Sequence, residues 1–448
     1  MLTISEACER AADVVARARA AGADAADAVF AADSSQSISV RMGELEDIER
    51  SESEELGLRV FVGRRSASVS TSDLSSAAMD MLVERVVAMA REAPEDKWAG
   101  LAPEDRLLHG KPPMLDLDDG AHVDPAGLKA LAQIAEEAAR GVQGVTNSEG
   151  ASAGASRSVM TLATSHGFTG GYAQTSHGIS ASVLAGTGGG MERDYAHHSA
   201  RHAAMLESPE AIGRLAGERA VARLDPARIP SGAMPVVFDR RVSAGLIGHF
   251  LGAISGSAIT RKTSFLLDRL GQQVFAKGVT ICDDPHRPRG LRSRPFDGEG
   301  LPVQPVKLVD AGLLETWLLE SASARQLGLE PTGHASRGIG GAPGVAPSNL
   351  YMEAGHIPAE TLVGEIEYGI LVTELIGQGV NGVTGDYSRG AAGFLIEKGE
   401  ITRPVSEITI ASNLKDMFLA MTPANDLEFR YGVNAPTLRI DGMTIAGA

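Results

Sequence analysis

The stretch AAGFLIEKGEITRPV, Ala391–Val405, decides how the second half of this chain reads. An apolar run leads to Lys398-Gly399, a pair suited to a tight turn, and strand-like sequence resumes beyond it, so the stretch predicts a β-hairpin. VDAGLLETW, Val309–Trp317, repeats the arrangement with Asp310-Ala311-Gly312 at its turn. MPVVFD (Met234–Asp239), GILVTELIG (Gly369–Gly377) and APTLRIDGMTIAG (Ala435–Gly447) supply further short strands. The second half is therefore expected to be mainly antiparallel β.

The first half has a different texture. Thr3 and Glu6 form a capping-box pattern, and Cys8, Ala11, Ala12, Val15 and Ala18 follow at helical spacing. Ile38, Val40 and Met42 alternate, as do Leu56, Leu58, Val60 and Val62, which predicts two strands with one buried face each. A helix capped by Ser72 or Asp73 is expected next, with Leu74, Ala78, Met81, Val83, Val86, Val87 and Met89 on its apolar face. Glu92–Asp119, rich in proline and charge, reads as a surface connection. A helix over Pro125–Arg140, a serine- and glycine-rich meander over 144–189 and a helix over Pro209–Leu224 repeat the strands-then-helix order. The fold class is α+β: an N-terminal α/β domain, a sheet with covering helices, over residues 1–228, and a β-rich C-terminal domain over 229–448. The boundary falls in LDPARIPSGAMP, Leu224–Pro235.

A chain of 448 residues with 57 acidic against 41 basic side chains carries a net charge of -16, and its basic residues are scattered along the sequence. Direct nucleic-acid binding is not expected. Two cysteines, Cys8 and Cys282, form no thiolate zinc cluster and fit a reducing compartment. With no export signal and no apolar run of membrane length, a cytoplasmic location and no membrane contact are expected.

Candidate metal ligands are few. SAGLIGHFLGAISG, Ser243–Gly256, places a lone His249 on a short apolar helix. One imidazole offers one donor where zinc takes about four, so packing is the plainer role. His198 and His202 have i, i+4 spacing, but Ser199 stands where a zincin helix carries glutamate, and on a strand the two lie about 14 Å apart. CDDPH, Cys282–His286, is explained by a proline-containing turn. GDYSRG lacks the GxSxG form of a nucleophile elbow.

Four longer blocks carry a family resemblance: GHFLGAISGSAITRKTSFLLDRLGQQV (Gly248–Val274), TGHASRGIGG (Thr332–Gly341), the run from Leu371 to Phe418 that contains the opening hairpin, and NAPTLRIDGMTIAG (Asn434–Gly447). Together they resemble the TldD/PmbA family, on its PmbA (TldE) side. The resemblance implies a zinc-dependent peptidase built from paired subunits and acting on peptides or unfolded segments. Its metal-bearing branch has a His-Glu-x-x-x-His helix and a later cysteine. In this chain Gly248, His249 and Ala253 occupy the His, Glu and His positions, and no cysteine follows Cys282.

The resemblance thus implies no catalytic residue and no metal on this chain, with zinc on a TldD-like partner subunit. His249, Gln378, Asp386 and Tyr387 are the candidates to line a substrate chamber. The small side chains of the N-terminal strands would leave backbone approachable for a peptide or unfolded protein. A homodimer of the isolated chain is possible. Two alternatives remain open: a peptide- or protein-binding modulator of the DNA gyrase type, and an independent peptidase built from residues such as His249, His198 or Asp283 and Asp284.

Overall fold

The computed structural model describes residues 2–121 and 124–447. Helix α1 (Ile4–Ala20) opens on the expected capping box: Thr3 Oγ1 accepts Glu6 N, and the Glu6 carboxylate accepts Thr3 N at 2.8 Å. Strands β1 (Ala25–Arg41), β2 (Glu44–Val62) and β3 (Arg65–Thr71) follow, then α2 (Ser76–Glu92), α3 (Pro125–Arg140), β4 (Val145–Thr164), β5 (Thr169–Ala185), β6 (Glu192–Ala200) and α4 (Pro209–Ala222). The six strands form one antiparallel sheet in the order β3-β2-β1-β4-β5-β6.

Alternation in β1 sets the two faces of this sheet. Ala28, Phe30 and Ala32 meet α1 and α2, while Ile38 and Val40 meet α3 and α4. A Cβ on Gly213 of α4 would stand 2.0 Å from the Ala135 carbonyl oxygen of α3, so only glycine lets these helices cross so closely. The opposite face is divided. At one end Val29 and Leu162 pack with Phe168, Phe296 and Leu301, joining the sheet to the C-terminal half. At the other end no helix or strand of the described residues covers it.

The C-terminal half begins with β7 (Gly232–Phe238) and α5 (Arg240–Ala253) and continues through β8 (Ile281–Asp284), β9 (Val306–Asp310), β10 (Leu313–Leu314), β11 (Ala335–Ser336), β12 (Gly344–Val345) and β13 (Asn349–Met352). It ends with β14 (Tyr368–Ile376), β15 (Asp386–Glu397), β16 (Glu400–Asn413), β17 (Met421–Pro423), β18 (Val433–Asn434) and β19 (Leu438–Ala446). One sheet has the order β16-β15-β14-β7-β19-β17, with β16 also pairing β19, and a second has the order β10-β9-β8-β13-β18. Leu246, Ile247, Phe250 and Ala253 of α5 enter their shared core, where Phe275 stacks on Phe418 at 4.4 Å between centroids.

Both expected hairpins form, with Lys398-Gly399 and Ala311-Gly312 at positive φ. The second half is β-rich but not wholly antiparallel: β7 pairs with β14 and β13 with β18 in parallel. Local turn chemistry specifies neighbouring strands, whereas these partners are far apart in sequence.

Other local readings change. The cap of α2 is Ser75, not Ser72 or Asp73, and the rotated face exposes Met81 and Met89 while burying Met79, Leu82 and Ala90. Glu92–Asp119 is not simply a surface connection. Its spaced apolar residues Leu101, Leu107, Leu115 and Leu117 are buried, and Arg325 donates to the carbonyls of Trp98, Gly100 and Leu101, so the segment straps the two halves together. No helix of the described residues is long and apolar enough to cross a membrane.

Candidate functional site

Helix α5 is capped by Asp239, whose carboxylate accepts Arg241 N at 2.8 Å. Gly245, Gly248 and Gly252 lie on its outward face, where an added Cβ would meet nothing within 4 Å. Ala253 is buried in the core. Gly248 and Ala253, five residues apart, are separated by roughly 140° around an ideal helix, so side chains at these two positions would leave it in different directions.

His249 lies between these faces, half-buried, with its ring edge-on to Tyr387 at 5.9 Å. Burial and the nearby Arg389 charge hold the imidazole pKa below its ordinary value, so it is neutral at pH 7. Tyr387 is 1% exposed, and burial raises its phenol to about 12, partly offset by Arg389. His249 Nε2, the Tyr387 hydroxyl and Arg389 Nε are all buried without a hydrogen-bond partner of ordinary geometry. A zinc ion does not fit this donor set: Gly248 and Ala253 have no ligand atom, and a guanidinium stands beside the one imidazole. What the cluster offers is hydrogen bonding from a neutral imidazole and a neutral phenol beside one guanidinium cation.

The structure brings the rings of His249 and Tyr387 together, and the other two chamber candidates are exposed. Gln378 is exposed just beyond β14. Asp386 is exposed at the start of β15, accepting Thr384 Oγ1 at 2.6 Å and Asn413 Nδ2 at 3.1 Å, and these bonds lower its pKa. They close the loop between β14 and β15, with Asn381 N donating to the Asp386 carbonyl.

His198, His202 and Asp283 have structural partners. His198 Nδ1 accepts Glu207 N, and His202, beyond the end of β6, contacts the Asp116 carbonyl through Nε2. Asp283, buried in β8, accepts Ser348 Oγ at 2.6 Å and lies 3.3 Å from His334. Cys282 lies within the strand rather than in a turn, and burial followed by the Glu353 charge raises its thiol pKa, which disfavours the thiolate. Among the described residues no three His, Cys, Asp or Glu side chains converge as a metal site.

The serine-rich strands produce a feature that alternation alone did not make legible. On the uncovered sheet face, Ser51, Ser35, Ser156 and Ser176 stand in register across four strands. Beside them Glu49, Ser37, Gly154, Gly178 and Ser199 form a second row across five. They line a hollow of about 880 Å³ floored by hydroxyls and glycines. The backbone of β4 and β5 is not approachable in the expected way, because both strands are internal and their ladder bonds lie in the sheet plane. An open edge exists along residues 44–55 of β2, which extend past β3 and carry seven carboxylates, a pattern that discourages strand addition between copies.

The fold also gathers arginines that the sequence scatters. Arg219, Arg240, Arg241, Arg292 and Arg430, from both halves of the chain, line one cavity between α4, β6 and the start of α5.

With this geometry in place, the family is clear. The PmbA/TldA metallopeptidase domain 1, central domain and C-terminal domain match residues 26–90, 118–224 and 231–447. The chain is 41% identical over 426 residues to the metalloprotease PmbA of Escherichia coli O157:H7, covering 95% of this chain and 92% of that protein. The crystal structure of a protein from Bacteroides thetaiotaomicron, named as a candidate modulator of DNA gyrase, superposes with a TM-score of 0.92 at 28% identity over the whole of both chains. TldE from Thermococcus kodakarensis superposes with a TM-score of 0.87 at 20% identity, covering 99% of this chain and all of that one, a likeness of fold. The chain belongs to the PmbA/TldD metallopeptidase family.

Proposed function

We propose that this chain is the non-metal-binding subunit of a two-subunit zinc-dependent peptidase. Residues 1–228 form a wall of its substrate chamber and residues 229–448 carry the degenerate helix. The observation that carries the reading is the chemistry of α5, where Gly248 and Ala253 offer no ligand and the neutral His249 sits beside Arg389 instead of a general-base glutamate. In this reading zinc and the water it activates belong to a TldD-like partner, and this chain binds and orients substrate. The serine rows of the hollow hydrogen-bond an extended chain with little preference for side chains, which suits peptides and unfolded segments. A folded domain hides its backbone from such a surface. A cytoplasmic setting is part of the proposal.

The test is reconstitution. The purified chain, a TldD-like subunit and their mixture are assayed for cleavage of an unstructured peptide, with zinc measured on each component. Cleavage and zinc found only with the TldD-like subunit, with a gain on mixing, are expected. Zinc and cleavage in this chain alone would overturn the reading. A binding or modulator role is favoured by the name of the Bacteroides relative, and capture of a non-protease partner in preference to a TldD-like one would support it.

A further inference from the structure

The arginine-lined cavity has a volume of about 540 Å³, within the ordinary range of ligand pockets. Five guanidiniums face it against two lining carboxylates, Asp239 and Glu428, in a chain whose net charge is -16. Three of the five are neutralised. Arg241 pairs with Asp194 through two bonds, at 2.7 and 3.2 Å, Arg240 meets Glu428 at 2.9 Å, and Arg430 meets Glu207 at 2.5 Å.

The other two form no ion pair with a carboxylate among the described residues. Arg219 donates only to the Tyr195 carbonyl, at 3.2 Å, on the outer edge of β6. Burial and the adjacent Arg241 charge lower its pKa, and the nearby Asp194 and Asp239 charges offset this only in part. Arg292 is exposed and makes no side-chain hydrogen bond or ion pair; its stem lies against Gly432, where a Cβ would come within 2.4 Å of Nε. Glycine at 432 therefore keeps space for the guanidinium at the cavity wall. Along one side the rings of Tyr195 and His197 stack and Tyr431 meets His197 at a tilt, giving an aromatic flank to the cationic one.

The cavity also has a direction. Gly245 lies in its lining, and Gly248 and Gly252 continue the same open stripe along α5 towards His249. At 1.5 Å rise per residue, Gly248 is about 4.5 Å and Gly252 about 10 Å further along the helix axis, the span of roughly three residues of extended peptide.

We infer that this cavity is an anion subsite that takes the C-terminal carboxylate of a bound peptide, with Arg219 and Arg292 as the guanidiniums left free for it. The inference rests on the proposal that the chain handles peptides, and it adds what part of the peptide is read and where. A carboxylate in this place restores charge balance and makes charge-assisted bonds of the Arg–carboxylate kind. Phosphate shares that oxyanion chemistry and serves as an independent probe.

The test uses the full chain and two unstructured peptides of one sequence, with a free or an amidated C-terminus, and calorimetry with inorganic phosphate alone. Removing the terminal charge is expected to weaken peptide binding about tenfold or more. R292Q, at an exposed position, and the double variant R219Q/R292Q are expected to erase the difference between the peptides and to abolish phosphate binding. Thermal melts confirm that each variant folds. Equal affinity for the two peptides would overturn the inference, as would phosphate binding that survives in the double variant. If neither peptide binds but phosphate does so through Arg219 and Arg292, the anion subsite stands as a site for free oxyanion, and the carboxylate assignment falls together with the peptide-handling reading for the isolated chain.

Discussion

Arg337, in the loop after β11, donates to Asp27 of β1 across a 2.7 Å contact in which both side chains are almost wholly buried. Arg59 of β2 binds the other Asp27 oxygen through Nε at 2.9 Å. Burial alone would raise the Asp27 carboxyl, but the two guanidiniums outweigh it and hold the group below the usual carboxylate range. This triad ties the N-terminal sheet to the C-terminal half. Asp27→Ala leaves two buried cations without a counterion, and a loss of about 3–5 kcal/mol is expected in urea unfolding. A loss under 1 kcal/mol would mean that water reaches the site.

Glu299 lies in the same interdomain region, accepting both the backbone and the hydroxyl of Ser321 at 2.9 and 2.7 Å. Burial, with the neighbouring Asp297 charge second, raises its pKa to about 7 from 4.5. A raised carboxyl favours the folded state while it is protonated, so this contribution is full below about pH 4.5 and is lost as pH rises through 7. Glu299→Gln keeps an acceptor for Ser321 and removes the ionisation. Relative to the parent, the variant should gain about 3 kcal/mol between pH 4.5 and 8. Parallel stability profiles for the two proteins across that range would contradict the assignment.

The architecture was legible wherever it depended on neighbours in sequence. The Thr3–Glu6 box and the Lys398-Gly399 turn act within a few residues, and alternation in β1 and β2 reports a buried face directly. What distance in sequence brings together was not legible. The parallel β7–β14 pair joins segments more than 130 residues apart, and the arginine cavity takes Arg219, Arg240, Arg292 and Arg430 from four separate segments. Repeated serines signalled strands, but register across five strands is what turns them into a hollow. For the helix at 240–253 the sequence named the altered positions; the opposite exposures of Gly248 and Ala253 required the packing of α5.

The loop after β11 also docks through an absence of side chain. A Cβ on Gly57 of β2 would stand 1.8 Å from the Ile339 carbonyl oxygen. Gly57→Ala therefore has to push Ile339 off the sheet, with an expected cost of about 1–3 kcal/mol and faster proteolysis around residues 338–344. Limited digestion with mass spectrometry reads the site of opening. An unchanged cleavage pattern together with unchanged stability would show that the loop does not bear on Gly57 in solution.

His249 gives a prediction that links the folded state to the proposed chamber. Its pKa is lowered by burial first and Arg389 second, so the native state holds it neutral while the unfolded chain takes up a proton as pH falls through about 6.5. The parent protein should therefore lose stability from pH 7.5 to 5 at this site. His249→Phe keeps an aromatic edge against Tyr387 and discards both the titration and the unpartnered Nε2. The melting temperature of the variant minus that of the parent should become more positive as pH drops over this range. A difference independent of pH would mean that the imidazole is solvated. In the mixture with a TldD-like subunit, a substrate contact requires Nε2, buried in this chain, to be uncovered in the complex, and it then predicts a raised KM with kcat little changed. Unaltered KM and kcat would confine His249 to packing.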